Sequence, residues 1–350
     1  MSKPNTMLGL FKTAKGQGNM ELREAPVPEP KANEVLLEIK AAGICGTDIH
    51  IKHDNFPYWP PVIMGHEFSG QIIETGSEVE TFKVGDRVVG EPHTKACGKC
   101  ELCRTGNIQI CAQKRSPGWG IDGAFARYLT MPEHLLHSIP ENLSYEDAAF
   151  VEPAANVVQD VLERGQIVAN DTVVVIGPGP IGLVALMAAK AAGAGKLIVV
   201  GTKADEAMRL PIAEDIGVDA VILADQQDAV AEVQKITNGR GADLVVEASG
   251  AAPAIAGAVG MVRRLGRISQ IGLTGKDQIS FPWDAAAWKV CTIIFNLSTA
   301  YSCWDRTIGL MADGKIDASK IITHKLPLEE WEKAFELVET MQGMKVLLIP

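Results

Sequence analysis

Val173-Val174-Val175-Ile176-Gly177-Pro178-Gly179-Pro180-Ile181-Gly182 is the stretch whose reading decides the fold. Four β-branched residues in a row make a short apolar run of the kind buried on both faces of a parallel sheet. The glycines and prolines end it, and 181–192, rich in Ala, Leu and Met, follows as a helix. A Gly-x-Gly-x-x-Gly pattern says little alone, but between a strand and a helix start it reads as a dinucleotide loop. Gly177 permits the tight turn and Gly179 lets a pyrophosphate approach the backbone. Gly182 lets helix and strand pack closely, and the helix start at Pro180-Ile181 supplies partial positive charge. The bland alternative is an ordinary glycine-rich turn in an α/β sheet.

The chain on either side favours the coenzyme reading. Strands are expected at 197–200, 220–223, 244–246, 268–271 and 292–295, and helices at 204–216, 229–237 and 252–263. Such alternation implies an α/β fold, a doubly wound parallel sheet with helices on both faces. Residues 1 to about 150 read differently. Strand candidates at 35–39, 71–74 and after the turn at 83–86 lie among frequent prolines, with no long helical periodicity. Beyond about 297 the chain turns helical at 304–312 and 328–341. It ends in a strand-like 345–349, which is expected to return to the first domain.

Bulk properties bound the function. A length of 350 residues favours two domains. The apolar share of 47% and charged share of 22% are those of an average soluble protein. Net charge of −10 argues against nucleic acid or anionic lipid as a partner. Residues 172–189 carry no charge and are long enough to span a membrane, but Gly177 to Pro180 would break a helix there. Strand, turn and helix start is the better reading, and no membrane partner is expected. Residues 1–20 lack the apolar core of a signal peptide. Four of the seven cysteines fall within 97–111, a pattern that suits metal binding in a reducing compartment, so a cytoplasmic location is expected.

Cys97-x₂-Cys100-x₂-Cys103-x₇-Cys111 offers four thiolates on one short excursion, which suits a closed structural zinc site. An iron–sulfur cluster fits less well, because the last gap is seven residues and Ala112 follows where a proline belongs. Upstream, Cys45 and His66 pair one soft and one imidazole ligand. Catalytic zinc keeps three protein ligands and one open position. Glu67, beside His66, and Glu152, in Val151-Glu152-Pro153, are the candidate third ligands. Asp48 is placed to receive the far N–H of His66. Taken singly, Cys45 reads as a small buried apolar residue and His66 as a satisfied structural histidine; their joint appearance with the loop and the four cysteines favours ligation. Cys291 and Cys303 read as structural, and His53, His93, His134, His137 and His324 have no partner pattern.

The second strand of the coenzyme domain ends Val199-Val200-Gly201-Thr202-Lys203. Gly201 stands where an NAD site usually places an acid on the ribose 2′-hydroxyl. No carboxylate is there to repel a 2′-phosphate, and Lys203 would attract one, while Asp205 and Glu206 are near enough to reach back. NADP is therefore favoured, with NAD remaining open.

Cys45-Gly46-Thr47-Asp48-Ile49-His50, Gly65-His66-Glu67, the four-cysteine stretch, Val151-Glu152-Pro153 and Gly177 to Gly182 occur in an order that resembles the zinc-dependent medium-chain dehydrogenase/reductase family over the whole chain. Glu152, where liver-type alcohol dehydrogenases use cysteine, resembles the sorbitol and threonine dehydrogenase branch. The resemblance implies a GroES-like β-rich catalytic domain over 1–155 with a zinc lobe at about 93–115, a Rossmann domain over 156–297, and the return of 298–350 to the first domain. It also implies a homotetramer or homodimer, and coenzyme contacts that include Gly272 and Leu273. Around zinc it implies Cys45, His66 and Glu67 or Glu152, with Thr47 and His50 as a proton relay. The sorbitol branch reads polyol hydroxyls with an Arg-Tyr pair after its last sheet strand. Here that stretch is Phe295-Asn296-Leu297, so recognition by such a pair is not expected.

The reaction expected is reversible oxidation of a secondary alcohol, such as a polyol or sugar alcohol, to a ketone with NAD(P). An L-threonine or 2,3-butanediol type of substrate is the alternative, and a coenzyme-binding protein without turnover is the rival of another class. Zinc lowers the pKa of bound water from about 15.7 to about 7, on the order of 12 kcal/mol. A positioned acid–base group gives about 10²–10⁴-fold, so the metal is expected to contribute more than the proton relay.

Overall fold

A computed structural model describes residues 3–350. They divide into two compact units, one of 3–153, 299–312 and 318–350, the other of 154–298 and 313–317.

The first unit is built from β1 (Thr6–Lys12), β2 (Met20–Pro26), β3 (Glu34–Gly43), β4 (Val62–Ile63), β5 (Glu67–Thr75), β6 (Arg87–Gly90), β7 (Tyr128–Pro132) and β8 (Leu136–Ser138). β3 carries the core because both of its faces are covered. Val35, Leu37 and Ile39 pack with Phe68, Ile72 and Phe125 on one side, while Leu36 packs with Met7, Ile63 and Tyr128 on the other. With period-two side chains and two buried faces, the strand reads as a continuous apolar run.

The second unit holds β9 (Thr172–Ile176), β10 (Lys196–Gly201), β11 (Ala220–Leu223), β12 (Ala242–Glu247), β13 (Val262–Gln270) and β14 (Thr292–Phe295). They form one sheet in the order β11-β10-β9-β12-β13-β14, every pair parallel. The strand order reverses between β9 and β12, so the loop after β9 sits at the switch point where α/β sheets bind ligands. The chain then returns to the first unit through β15 (Ile322–Pro327) and β16 (Lys345–Ile349). These extend its larger sheet to β15-β16-β3-β5-β6-β8, with β7 pairing β3.

Several element boundaries differ from those read in the sequence. The expected helix at 204–216 begins at Arg209, because Thr202 and Asp205 close a short 3₁₀ turn first. Pro211 then falls in the first turn, where its missing N–H has no partner to lose. The helix expected to reach 263 stops at Met261, and β13 starts at Val262. The helix expected at 328–341 is a 3₁₀ turn, Leu328–Glu330, followed by a helix Trp331–Glu339. Among the described residues no helix is long and apolar enough to cross a membrane, and 172–189 is β9, the glycine turn and a helix start.

Candidate metal centre and coenzyme loop

Cys45 is the N-cap of the helix Gly46–Lys52, which follows β3 directly. The carboxylate of Asp48, at the third helical position, accepts the Cys45 backbone N–H at 2.9 Å. This fixes the entry to the helix and with it the thiol. Thr47 is half-buried and His50 exposed on the same helix, three residues apart and so on one face.

His66 lies in the turn between β4 and β5, and Glu67 is the first residue of β5. Gly65 makes that turn with φ +91°, where a Cβ would come within 2.5 Å of the Phe125 ring. Donor atoms of Cys45, His66 and Glu67 all lie within 4.8 Å of one another. Glu67 pairs with Gly43 across β3 and β5, and a Cβ on Gly43 would meet the Glu67 carboxylate at 2.3 Å. Glycine is therefore what leaves room for that side chain.

Lys345, at the start of β16, was not singled out in the sequence, yet it reaches the same spot. Its ammonium donates to Glu67 Oε2 at 2.6 Å and to the Ile44 carbonyl at 3.0 Å, with only 5% of the residue exposed. Burial opposes its charge, but Glu67, Cys45 and Glu152 hold its pKa above the usual lysine value. Burial likewise opposes a charged His66, and Asp48 and Cys45 override it, raising His66 well above its ordinary value, with Glu152 adding to the pull. Burial raises Asp48, against the pull of His66. The expected hydrogen bond from His66 to Asp48 is not formed. Nδ1 and Oδ1 stand 3.7 Å apart, and neither atom has a hydrogen-bond partner. One thiol and three carboxyl groups thus act on one imidazole and one ammonium. Such an excess of acidic donors over cations, two of them buried and with buried polar atoms left unsatisfied, fits a divalent cation.

The four cysteines of the lobe also converge, their sulfurs all within 4.8 Å of one another, and all are free thiols. Cys97 and Cys103 Sγ are 3.8 Å apart, and Cys100 and Cys111 Sγ 4.0 Å. Zn–S bonds of about 2.3 Å give a tetrahedron with edges of about 3.8 Å, so the cage already has zinc's size. Backbone N–H groups of Lys99 and Cys100 pull the Cys97 thiol down to about 6, and those of Cys97 and Gln113 lower Cys111, whereas burial pushes Cys103 up to about 12.

In the second unit, Gly179 caps the helix Pro180–Ala191, with Pro180 at its first position. Gly177 has φ +93°, and a Cβ on Gly182 would come within 1.9 Å of the Gly177 carbonyl. A cavity of about 640 Å³ opens over this loop, lined among others by Gly177, Gly179, Gly201, Thr202 and Arg209. Asp205 does curl back, but its carboxylate is taken by the Thr202 N–H and hydroxyl and by Arg209 at 2.8 Å. Asp225 accepts the Lys203 N–H at 3.1 Å, while the lysine residue is exposed. Arg209 is a second cation here that the sequence pattern did not mark. Gly272 and Leu273 pack against Gly250 at the ends of β12 and β13. Phe295 is exposed at the end of β14, and Asn296 is held by Ser269 and Arg164.

Three histidines without a sequence pattern have partners distant in sequence. His53 meets Glu339 at 2.6 Å. His137 is held between Glu91 at 3.1 Å and Asp305 at 2.8 Å and stacks on Trp304. His93 bonds the Thr299 carbonyl at 2.9 Å. Their partners are far along the chain, which no local pattern reveals.

A GroES-like unit, its buried three-donor cluster, a four-thiol cage and a parallel-sheet coenzyme loop together define a zinc-dependent dehydrogenase of the alcohol dehydrogenase type. Residues 31–141 match the model of the alcohol dehydrogenase GroES-like domain, and residues 180–313 that of zinc-binding dehydrogenase. A sorbitol dehydrogenase of Halalkalibacterium halodurans is 36% identical over 98% of this chain and 99% of its own. A D-arabitol-phosphate dehydrogenase of Enterococcus avium is 36% identical over 99% and 98%. A protein of Sinorhizobium meliloti, solved with NADP bound, superposes with a TM-score of 0.91 at 28% identity, covering 99% of this chain and 100% of that one. The chain belongs to the zinc-dependent medium-chain dehydrogenase/reductase family, in its sorbitol and threonine dehydrogenase branch.

Proposed function

We propose that the protein oxidises a secondary alcohol of the polyol or sugar-alcohol class reversibly to the ketone, with NADP preferred over NAD. The observation that carries this reading is the convergence of Cys45, His66 and Glu67 within 4.8 Å, with Glu152 acting on the same imidazole. Cys45, His66 and one carboxylate hold the catalytic zinc, Glu67 and Glu152 being the two that exchange in the third place. Cys97, Cys100, Cys103 and Cys111 hold the structural one. Zinc, when bound, would supply the Lewis acidity that makes a substrate hydroxyl acidic, and a bound nicotinamide would supply the redox chemistry.

The chain's own groups do the rest. Thr47 accepts the hydroxyl proton at its side-chain oxygen, and His50, exposed one turn on, passes it to solvent. Lys345 donates to Glu67 and holds its carboxylate in place. Gly177, Gly179, Pro180, Ile181 and Gly182 present the helix N-terminus to the pyrophosphate. Gly201, Thr202, Lys203 and Arg209 receive the 2′-phosphate: Arg209 lines the cavity, Lys203 is exposed beside Thr202, and Asp205, Asp225 and Asp228 are each engaged by backbone N–H groups. Gly272 and Leu273 complete the coenzyme contacts. The polyol class is supported by relatives named for sorbitol and arabitol phosphate.

Copies of the chain pair as a homodimer, or as a homotetramer built from it, through β14. That strand is the last of its sheet and is flanked by exposed apolar side chains, including Trp288, Val290, Phe295 and Leu297. An uncovered apolar edge of this kind is a natural site for a second strand. The free thiols suit a reducing cytoplasm.

The test is a panel of polyols, sugar acids, amino alcohols and small diols, assayed with each coenzyme. Coenzyme reduction by at least one secondary alcohol, lost on chelation and regained with zinc, is the expected result. Coenzyme binding without turnover across the panel would leave a non-catalytic binding protein instead.

A further inference from the structure

The end of the second unit's sheet opposite the coenzyme loop carries a cluster of cations that the proposed reaction does not use. β12 and β13 run parallel, and their last residues, Glu247 and Gln270, are bonded to each other at the coenzyme end, beside Gly272. At their first residues the pairing jumps from Ala242–Val262 to Leu244–Arg267. The extra residues of β13, Arg263-Arg264-Leu265-Gly266, therefore leave the ladder as a bulge. Leu265 takes φ +55° there, a left-handed conformation uncommon for a bulky side chain. Gly241, with φ +85°, lets the preceding loop lie against the bulge, and a Cβ on it would be 2.8 Å from the Arg263 backbone nitrogen. A second bulky left-handed residue, Val290 with φ +51°, follows Lys289 at the end of the helix Trp283–Lys289.

These turns gather Arg240, Arg263, Arg264 and Lys289 around one cavity of about 750 Å³. Among the described residues, Asp243 is the one carboxylate that pairs with any of the four. It accepts from Arg240 at 2.6 Å and from Arg263 at 2.5 Å, and its other oxygen takes the Thr172 N–H at 2.9 Å. Arg264 donates to the Trp288 carbonyl at 2.6 Å. Lys289 donates to the carbonyls of Gly260 at 3.0 Å and Val262 at 2.5 Å, and Gln234 reaches the same Gly260 carbonyl at 2.8 Å. Capping of the helix Ala252–Met261 thus accounts for Lys289. It does not account for three guanidiniums around one carboxylate, with Arg240 and Arg264 both exposed. Burial lowers the Lys289 pKa; Cys291 pulls it up and the Arg264 charge lowers it again, so the two cations repel one another across the cavity wall.

We propose that this cavity is a second anion site, built for a small molecule with adjacent phosphate groups and separate from the coenzyme's own site. A guanidinium presents its N–H groups in a planar fork that fits phosphate oxygens two at a time. Most of those groups on Arg240, Arg263 and Arg264 are not taken by the protein. Three forks around a cavity of this size suit a diphosphate better than a single phosphate or a set of carboxylates. A chain of net charge −10 keeps anions off most of its surface, so cations gathered in one recess are a specific exception. The site does not overlap the coenzyme loop, which follows the last residue of β9 while the cavity lies at the first residues of β12 and β13. At about 3.3 Å per residue, β12 alone sets the two ends about 16 Å apart. A bound anion relieves the repulsion between Arg264 and Lys289 and ties the loop 238–241 to the start of β13.

The test is calorimetric titration of the zinc-loaded protein, saturated with the coenzyme it binds more tightly, using inorganic pyrophosphate, orthophosphate and tricarballylate. Zinc content is checked after each titration. Pyrophosphate is expected to bind once per chain, at least tenfold tighter than the other two, with an affinity that falls as salt is raised. Amide hydrogen exchange should slow at 238–241 and 262–265. Arg240→Gln combined with Arg264→Gln should weaken pyrophosphate at least tenfold while coenzyme affinity stays within twofold. Arg264→Gln alone, whose amide still reaches for the Trp288 carbonyl, should weaken it at least threefold. No saturable binding in the wild type, a preference for pyrophosphate short of tenfold, competition with coenzyme, or exchange protection confined to other segments would each overturn the proposal without any variant. So would undiminished affinity in folded Arg264→Gln. None of these outcomes bears on alcohol oxidation, which the alcohol panel decides separately.

Discussion

Replacing Lys345 with Met tests the site through a residue remote from it in sequence. The substitution keeps length and apolar bulk but removes the charge that sits 2.6 Å from Glu67 Oε2. Glu67 is 1% exposed and Lys345 5% exposed, so solvent cannot replace the lost partner. Breaking a buried pair by removing one member costs about 3–5 kcal/mol, because the other charge is left uncompensated. Lys345→Met should therefore lower unfolding stability by about that amount. The assay is denaturant unfolding of wild type and variant, each zinc-loaded and chelated. The loss should be larger after chelation, since a bound cation takes over part of the compensation for Glu67. The alcohol-oxidising rate should fall as well, because Glu67 loses the contact that fixes its carboxylate and is then free to swing. If Lys345→Met unfolds within about 0.5 kcal/mol of wild type, the range of an ordinary surface change, in both metal states, the pair does not compensate Glu67 as described.

Cys100→Ser should lower the melting temperature and release one zinc per chain, while the rate per correctly folded site changes little; an unaltered melting curve would count against a structural cage. Lys203→Ala combined with Arg209→Ala should reduce kcat/KM for NADP at least tenfold relative to NAD, and an unchanged ratio would show that neither cation meets the 2′-phosphate. His137 gives a pH signature. Burial alone would depress it, but Glu91 and Asp305 raise its pKa above the ordinary value. Its contribution is thus complete below about pH 6.5 and is lost as pH rises through the raised folded value. Wild type should lose stability across that window, and His137→Gln should flatten the curve; parallel curves would mean the imidazolium is not held as described.

What was legible in the sequence follows from locality. The parallel strands read as apolar runs because both faces of β9, β10 and β12 are buried, and the coenzyme loop announced itself by a glycine pattern set between strand and helix. Element ends were less legible where a single side chain decides them. Asp205 closes a turn that delays the next helix to Arg209. β13 begins with Val262 but continues through Arg263, Arg264 and Gly266, which carry no strand signal.

The candidate ligand residues were legible one motif at a time, and their convergence was not. Cys45 and His66 are brought together by the β3–β5 pairing, in which Gly43 lies opposite Glu67. Lys345 enters only because β16 pairs antiparallel with β3, setting Leu347 against Gly43. A lysine heading an otherwise apolar strand was the one available hint. The His137 cluster joins Glu91 to Asp305 across more than two hundred residues, a separation no periodicity spans.

The central claim is that Cys45, His66 and a neighbouring carboxylate hold a divalent cation on which turnover depends. Zinc content per chain, measured on wild type and Cys45→Ala together with coenzyme binding and the rate on an accepted alcohol, tests it most directly. The expected result is two zinc ions in the wild type and one in the variant, with the fold and coenzyme affinity retained and turnover gone. One zinc in both proteins, or near-normal turnover in Cys45→Ala, would contradict it.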